Sequence, residues 1–135
     1  MKKHHRIQLQ EIPVAADLIS KQLKGGEILA LMGPLGAGKT TFAQHLGKKL
    51  KVKQRMPSPT FTIMHNFPAT IPISRKKITL YHLDLYRTKN FREVKALGIT
   101  EIWGAPESIT IIEWANKIKR YLPKKTIFLT LTRVD

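Results

Sequence analysis

The chain has no cysteine among its 135 residues, which excludes disulfides, thiolate nucleophiles and cysteine-based zinc sites. It also lacks any apolar run near the ~18 residues that a membrane-spanning helix needs. The start, Met1-Lys2-Lys3-His4-His5-Arg6, is basic but leads into Ile7-Gln8-Leu9-Gln10-Glu11, too polar for the apolar core of a signal peptide. A cytoplasmic location is expected. Repeats, low-complexity tracts and convincing linkers are missing too, and the length is that of a single domain spanning 1–135. Such a domain buries roughly two-thirds of its unfolded surface, enough for an ordinary core.

Acid is the other scarcity. Nine Asp and Glu face 24 Lys and Arg, leaving a net charge of +15. A field of that sign favours phosphate-rich partners, with nucleic acid first among them. The basic residues fall in clusters at Lys48-Lys49, Lys51 to Arg55, Arg75-Lys76-Lys77, Lys117 to Arg120 and Lys124-Lys125. Aromatic residues do not interleave with them, as a single-strand stacking platform would require.

What is present is punctuated clearly. Pro13 opens a helical pattern with Val14, Leu18, Ile19 and Leu23 on one face, ended by Gly25-Gly26. Glu27 to Met32 reads as a buried strand running into a glycine loop. Phe42, Leu46 and Leu50 then recur at fourth positions, predicting a helix from Lys39 to about Leu50. Pro57-Ser58-Pro59 marks a turn before a strand at Thr60 to Met64, and 66–77 reads as an exposed basic loop. Further strands are expected at 78–83, 109–112 and 126–131, with a polar helical region over 90–102 and a short helix after Glu113. Alternating strands and helices predict an α/β three-layer sandwich with a mixed, partly parallel central sheet.

The loop Gly33-Pro34-Leu35-Gly36-Ala37-Gly38-Lys39-Thr40 fits the phosphate-binding pattern Gly-x4-Gly-Lys-Thr at every position. Its glycines let backbone N–H groups converge on phosphate oxygens, and Lys39 reaches the β- and γ-phosphates. The Thr40 hydroxyl is the expected ligand of Mg2+, and the following helix turns its positive end to the anion. Strand, glycine loop and helix in succession make a chance match improbable. Such a loop also needs an acid at a strand end. Glu113 closes the apolar run 109–112, and Asp84 closes 80–83; spacing does not decide between them. His82 reads as a structural histidine, Arg87 as a surface cation, and Trp103 and Trp114 as core aromatics. Asn116-Lys117-Ile118-Lys119 resembles a guanine-specificity motif whose required Asp is replaced by Lys119, which favours ATP.

Four segments together resemble one family. Gly33 to Thr41, Ser58-Pro59-Thr60-Phe61, His82-Leu83-Asp84-Leu85-Tyr86-Arg87 and Ile112-Glu113-Trp114-Ala115 stand in the order seen in TsaE, the small bacterial P-loop ATPase of tRNA threonylcarbamoyladenosine synthesis. The resemblance implies binding and slow hydrolysis of Mg-ATP, and association with TsaD and TsaB in modifying tRNAs that read codons beginning with A. It implies that Thr40 and Glu113 hold Mg2+, that Lys39 and the loop hold the phosphates, and that Ser58 to Phe61 act as a switch. Asp84 becomes a positioner of water or metal, catalytic alongside Lys39 and Glu113. Leu35, Thr41, Ser58, Thr60 and Trp114 join the nucleotide-binding set. Asn116 departs from the family, which often has Glu there. Two other classes compete: a small-molecule kinase, for which no lid-like insertion is present, and a basic RNA-binding module that ignores nucleotide.

Overall fold

A computed structural model describes residues 3–34, 36–56 and 63–133. Six strands form one sheet: β1 (His4–Gln8), β2 (Ile28–Met32), β3 (Met64–Thr70), β4 (Lys77–Asp84), β5 (Ser108–Glu113) and β6 (Ile127–Thr132). Their spatial order is β1-β6-β2-β5-β4-β3. Every neighbouring pair is parallel except β3 with β4, which form an antiparallel hairpin at one edge. The mixed, partly parallel sheet expected from sequence is therefore present, with four of its five strand pairs parallel.

Central position explains composition. In β5 every residue is buried, and in β2 all but Met32; β2 is accordingly a continuous apolar run, and β5 carries Ile109, Ile111 and Ile112. Toward the edges, β6 and β4 alternate buried and half-exposed residues, as a strand covered unequally on its two faces must. Helices α1 (Ile12–Ser20) and α2 (Lys39–Lys49) cover one face. Leu29 and Leu31 of β2 pack there with Ile12, Phe42 and Leu46. Ile28 and Ala30 point the other way, into a second cluster with Val94, Ile99, Ala115 and Ile118. That face is covered by α3 (Phe91–Lys95) and by 3-10 turns at Ile99–Glu101 and Ala115–Tyr121. The result is three layers.

Several local expectations need correction. The buried face of α1 is Ile12, Ala16 and Ile19, whereas Val14 and Leu18 are 64% and 54% exposed. Helix α1 also ends at Ser20, ahead of the Gly25-Gly26 pair. Residues 66–70, expected in a loop, belong to β3. Pro68 is tolerated there because β3 is an edge strand, with one side free of ladder bonds. The tight turn at 71–76 then closes the hairpin through Ile71 N–H to Lys76 O at 2.9 Å. The expected strand at 60–64 falls mostly outside the described residues. The polar region 90–102 breaks at Gly98, whose φ of 77° stops α3 from continuing. Strand β1 was not anticipated, since only Ile7 of its five residues is buried.

Phe42 is fully buried between α2 and the sheet. Phe42→Ala is expected to lower unfolding free energy by about 3–5 kcal/mol, measured by urea denaturation followed by circular dichroism.

Candidate functional site

The strands β2, β4 and β5 run parallel, so their carboxyl ends meet at one edge of the sheet, where α/β folds build ligand sites. The glycine loop leaves β2 at this edge. Gly33 has φ 138°, and a side chain there would collide with the Leu131 carbonyl oxygen. Gly38 has φ 102°, and a Cβ would lie 2.7 Å from Ile12 Cδ1 and 2.8 Å from Leu9 Cδ1. Both positions therefore require glycine. Helix α2 starts immediately afterwards at Lys39.

Lys39 is 5% exposed. Its Nζ donates to Gly33 O at 2.7 Å and to Pro34 O at 2.9 Å, so the side chain curls back along the loop. The ammonium also lies 3.8 Å from the centre of the Trp114 ring, a cation–π contact. Burial pushes the Lys39 pKa below the usual lysine range, while Glu113 and Asp84 pull it back up. A partly desolvated cation of this kind interacts strongly with an incoming phosphate.

One residue later, Thr40 Oγ1 donates to Glu113 Oε1 at 2.8 Å. The second Glu113 oxygen, Oε2, is 2.6 Å from His82 Nε2. Glu113 and His82 are almost wholly buried, at 2% and 0% exposure. A single carboxylate thus joins α2, β4 and β5. Asp84 stands directly beside Glu113 in the β4–β5 register. Its Oδ1 accepts from Tyr86 N at 2.9 Å. Burial foremost, with the negative charge of Glu113, raises the Asp84 pKa from 3.8, against the Tyr86 N–H, His82 and Lys39.

The chain leaves β5 through Trp114 at φ 61°, a left-handed conformation that carries the indole back over Lys39. Tyr86 packs on that indole at 5.1 Å between ring centres. Lys117 fastens the 86–88 turn, donating to Tyr86 O and, at 3.1 Å, to Thr88 O. The Asn116-Lys117-Ile118-Lys119 stretch is thus engaged with backbone and with the Phe128 ring, which Lys119 Nζ approaches to 5.4 Å.

The fold brings Gly33, Gly36, Ala37, Gly38, Lys39, Thr40, Asp84, Glu113 and Trp114 to this one edge. Thr41 is exposed on α2, Arg87 is exposed beyond the strand end, and Trp103 packs in the second hydrophobic cluster. Leu35, Ser58 and Thr60 lie outside the described residues. His82 is the residue whose part sequence reasoning underrated. Its signals were its place at the head of the His82-to-Arg87 segment and its position two residues before Asp84, hence on the same face of β4.

No group of three or more His, Cys, Asp or Glu side chains suited to hold a metal by themselves occurs among the described residues. A hydroxyl and one carboxylate 2.8 Å apart do suit Mg2+, which takes one or two protein oxygens and fills its remaining positions with phosphate and water. No helix among the described residues is long and apolar enough to cross a membrane.

Comparison with known proteins finds relatives along most of the chain. The family model described as threonylcarbamoyl adenosine biosynthesis protein TsaE matches residues 7–135. A tRNA threonylcarbamoyladenosine biosynthesis protein TsaE of a Nostoc species is 38% identical over 121 residues, covering 87% of this chain and 70% of the relative. The protein of the same description from Bacillus subtilis is 31% identical over 131 residues, covering 97% and 77%. Among solved structures, Bacillus subtilis YdiB superposes with a TM-score of 0.62 at 28% identity, covering 90% of this chain and 69% of that one. The fold is P-loop NTPase-like.

Two outcomes follow from the buried carboxylate cluster. His82→Ala leaves Glu113 Oε2 without its donor and is expected to cost about 1–3 kcal/mol of stability, read by denaturant titration. Asp84 holds its proton more tightly folded than unfolded. The stability this gives is fully present below 3.8 and is lost as pH rises through the raised folded value. Asp84→Asn should therefore raise the thermal midpoint at about pH 7 more than at about pH 4, in paired melting experiments.

Proposed function

This chain belongs to the TsaE family, and from that premise we propose that it is a cytoplasmic Mg-ATP-binding ATPase domain, spanning 1–135, that supports a TsaB and TsaD complex in forming threonylcarbamoyladenosine in tRNA. The observation that carries the nucleotide reading is the Thr40–Glu113 hydrogen bond at the head of α2. It joins the phosphate loop to a strand-end acid, the pairing that a P-loop needs to hold its metal. Mg2+, when bound, neutralises phosphate charge and orients the terminal phosphate.

The remaining work falls to the protein's own groups. The loop N–H groups and the amino end of α2 receive the phosphates. The Lys39 ammonium, already partly desolvated, exchanges its loop carbonyl contacts for phosphate oxygens. Thr40 and Glu113 are the protein's metal-holding pair, and His82 fixes the orientation of the Glu113 carboxylate through Oε2. Asp84, at the adjacent strand end and half-buried, orients or accepts a proton from the attacking water. Leu35, Ser58 and Thr60 complete the proposed nucleotide set, with the segment 58–61 as its switch. Trp114 forms a wall of the site behind Lys39.

The described arginine that reaches the loop is Arg133, whose Nη1 lies 3.3 Å from where a Cβ on Gly36 would sit. Slow hydrolysis in isolation is what the family resemblance implies. This fits an accessory ATPase whose output is a change in the state of a partner complex. A kinase would add an acceptor pocket and a lid, and no observation favours one.

The test is co-purification with TsaB and TsaD, with and without ATP, alongside Lys39→Ala and Glu113→Gln. Expected are nucleotide-dependent association, loss of ATP binding in Lys39→Ala, and hydrolysis reduced about 100-fold or more in Glu113→Gln with nucleotide binding kept. Hydrolysis unaffected by TsaB and TsaD, together with no association, would overturn the proposal.

A further inference from the structure

Three residues other than glycine adopt positive φ among those described: Trp114, Lys51 and Arg75, at 61°, 62° and 62°. Trp114 belongs to the nucleotide site. The other two lie at the opposite end of the molecule. Strand β4 runs from Lys77 to Asp84, so its first residue is roughly 23 Å from the site end. Helix α2 runs from Lys39 to Lys49 and carries its last turn roughly 16 Å from the phosphate loop.

These two ends are joined. Thr70 N–H, at the end of β3, donates to Leu50 O at 2.7 Å, fixing the β3–β4 turn to the carboxyl end of α2. Lys49 is paired with Asp17 of α1 at 3.2 Å. Lys76 Nζ lies across Gly25 in the α1–β2 connection, 3.1 Å from where a Cβ on that glycine would sit. One pole therefore gathers Lys24, Lys48, Lys51, Lys53, Arg75 and Lys77. All six are exposed, and none forms an ion pair among the described residues. Asp17 and Glu27 share this pole: Asp17 is engaged by Lys21 and Lys49, and Glu27 accepts from the Lys24 and Gly25 backbone N–H groups.

Left-handed backbone disfavours any side chain with a Cβ, and glycine is the usual residue just after a helix or in a tight turn. Here the position after the α2 cap and the turn position both carry a long cation. Strain retained where glycine would relieve it points to the side chain as the reason for keeping it. Cations gathered on two neighbouring turns suit a ligand of closely spaced, repeating negative charge, which is a nucleic-acid backbone.

We propose that this basic pole, formed by the carboxyl end of α2, the β3–β4 turn and the α1–β2 connection, is a contact surface for the phosphate backbone of RNA. The proposal rests on the tRNA-modification reading of the chain for its choice of polyanion. It adds a direct RNA contact, at the end of the domain away from the nucleotide. The pole reads backbone charge and not base sequence, because among the described residues no exposed aromatic side chain accompanies these cations.

The test uses the full chain and a tRNA transcript labelled for fluorescence anisotropy, titrated at several salt concentrations. Lys51→Gly with Arg75→Gly is the informative variant, since it removes two cations while relieving backbone strain. Its thermal midpoint should be equal to or above that of the parent. Its tRNA affinity should fall about tenfold, with a shallower dependence on salt by roughly two phosphate contacts. ATP binding, followed by Trp114 fluorescence, should not change, so failure of the nucleotide reading would be seen separately. Lys53→Glu with Lys77→Glu should weaken tRNA binding further. Unchanged tRNA affinity in both variants overturns the proposal. So does loss of association with TsaB and TsaD in the variants without loss of tRNA binding, which would assign the pole to an acidic protein surface.

Discussion

The Glu113 carboxylate is the constraint on which the site depends. One oxygen accepts from Thr40 and the other meets His82, so the first turn of α2 is tied to two neighbouring strands. A carboxylate this deeply buried is costly to desolvate and persists only where hydrogen bonds satisfy both of its oxygens. The same bonds set the rotation of α2 about its axis. That rotation decides where Lys39 and the loop N–H groups point. Glycines at 33 and 38 then let the loop close against Leu131, Leu9 and Ile12 without a side chain in the way. Site geometry and packing are one arrangement here.

Around this centre, the site is enclosed by aromatic and cationic groups held from behind. Trp114 sits over Lys39 only because the chain turns through a left-handed residue on leaving β5. Tyr86 backs the indole, and Lys117 secures the turn that carries Tyr86. A lysine with lowered proton affinity, two adjacent strand-end acids and a low-dielectric wall make the electrostatics sensitive to one added phosphate. The acids differ in role because their surroundings differ. Glu113 is fixed at both oxygens, whereas Asp84 has one oxygen on a backbone N–H and is half-exposed.

Elements are legible in the sequence where local pattern and tertiary burial agree. β2 and β5 are central and buried on both faces, so β2 appears as an unbroken apolar run and β5 as an isoleucine-rich one interrupted at Thr110. Helix α2 was legible because Phe42, Leu46 and Leu50 all face the core, and the phosphate loop because its glycines are demanded by backbone shape. β1 and β3 were hidden, as edge strands bury too few residues to leave a period. In α1 the more hydrophobic stripe is the exposed one: Val14 and Leu18 are large and apolar, yet Ala16, the smaller residue, occupies the contact with the sheet and α2. The pairing of His82 with Glu113 spans 31 residues of chain and two strands, so no local spacing could announce it.

Charge shows the same division between local use and what is left over. Among the nine acids, Glu11, Glu27 and Glu93 accept from backbone N–H groups, at Gln8, at Lys24 and Gly25, and at Lys89. Asp84 does likewise at Tyr86, and Glu113 is taken by Thr40 and His82. Among the described residues, only Asp17 pairs with lysine, and that exposed pairing is worth little. The carboxylates therefore shape turns and the site, and they neutralise almost none of the 24 cations. An excess of +15 on so small a body repels itself, and each unpaired cation retains a field over about 8 Å at physiological salt. Such a surface lowers its free energy most by meeting a polyanion. The shortage of acid noted in the composition is thus a property of how the acids are used as much as of how many there are.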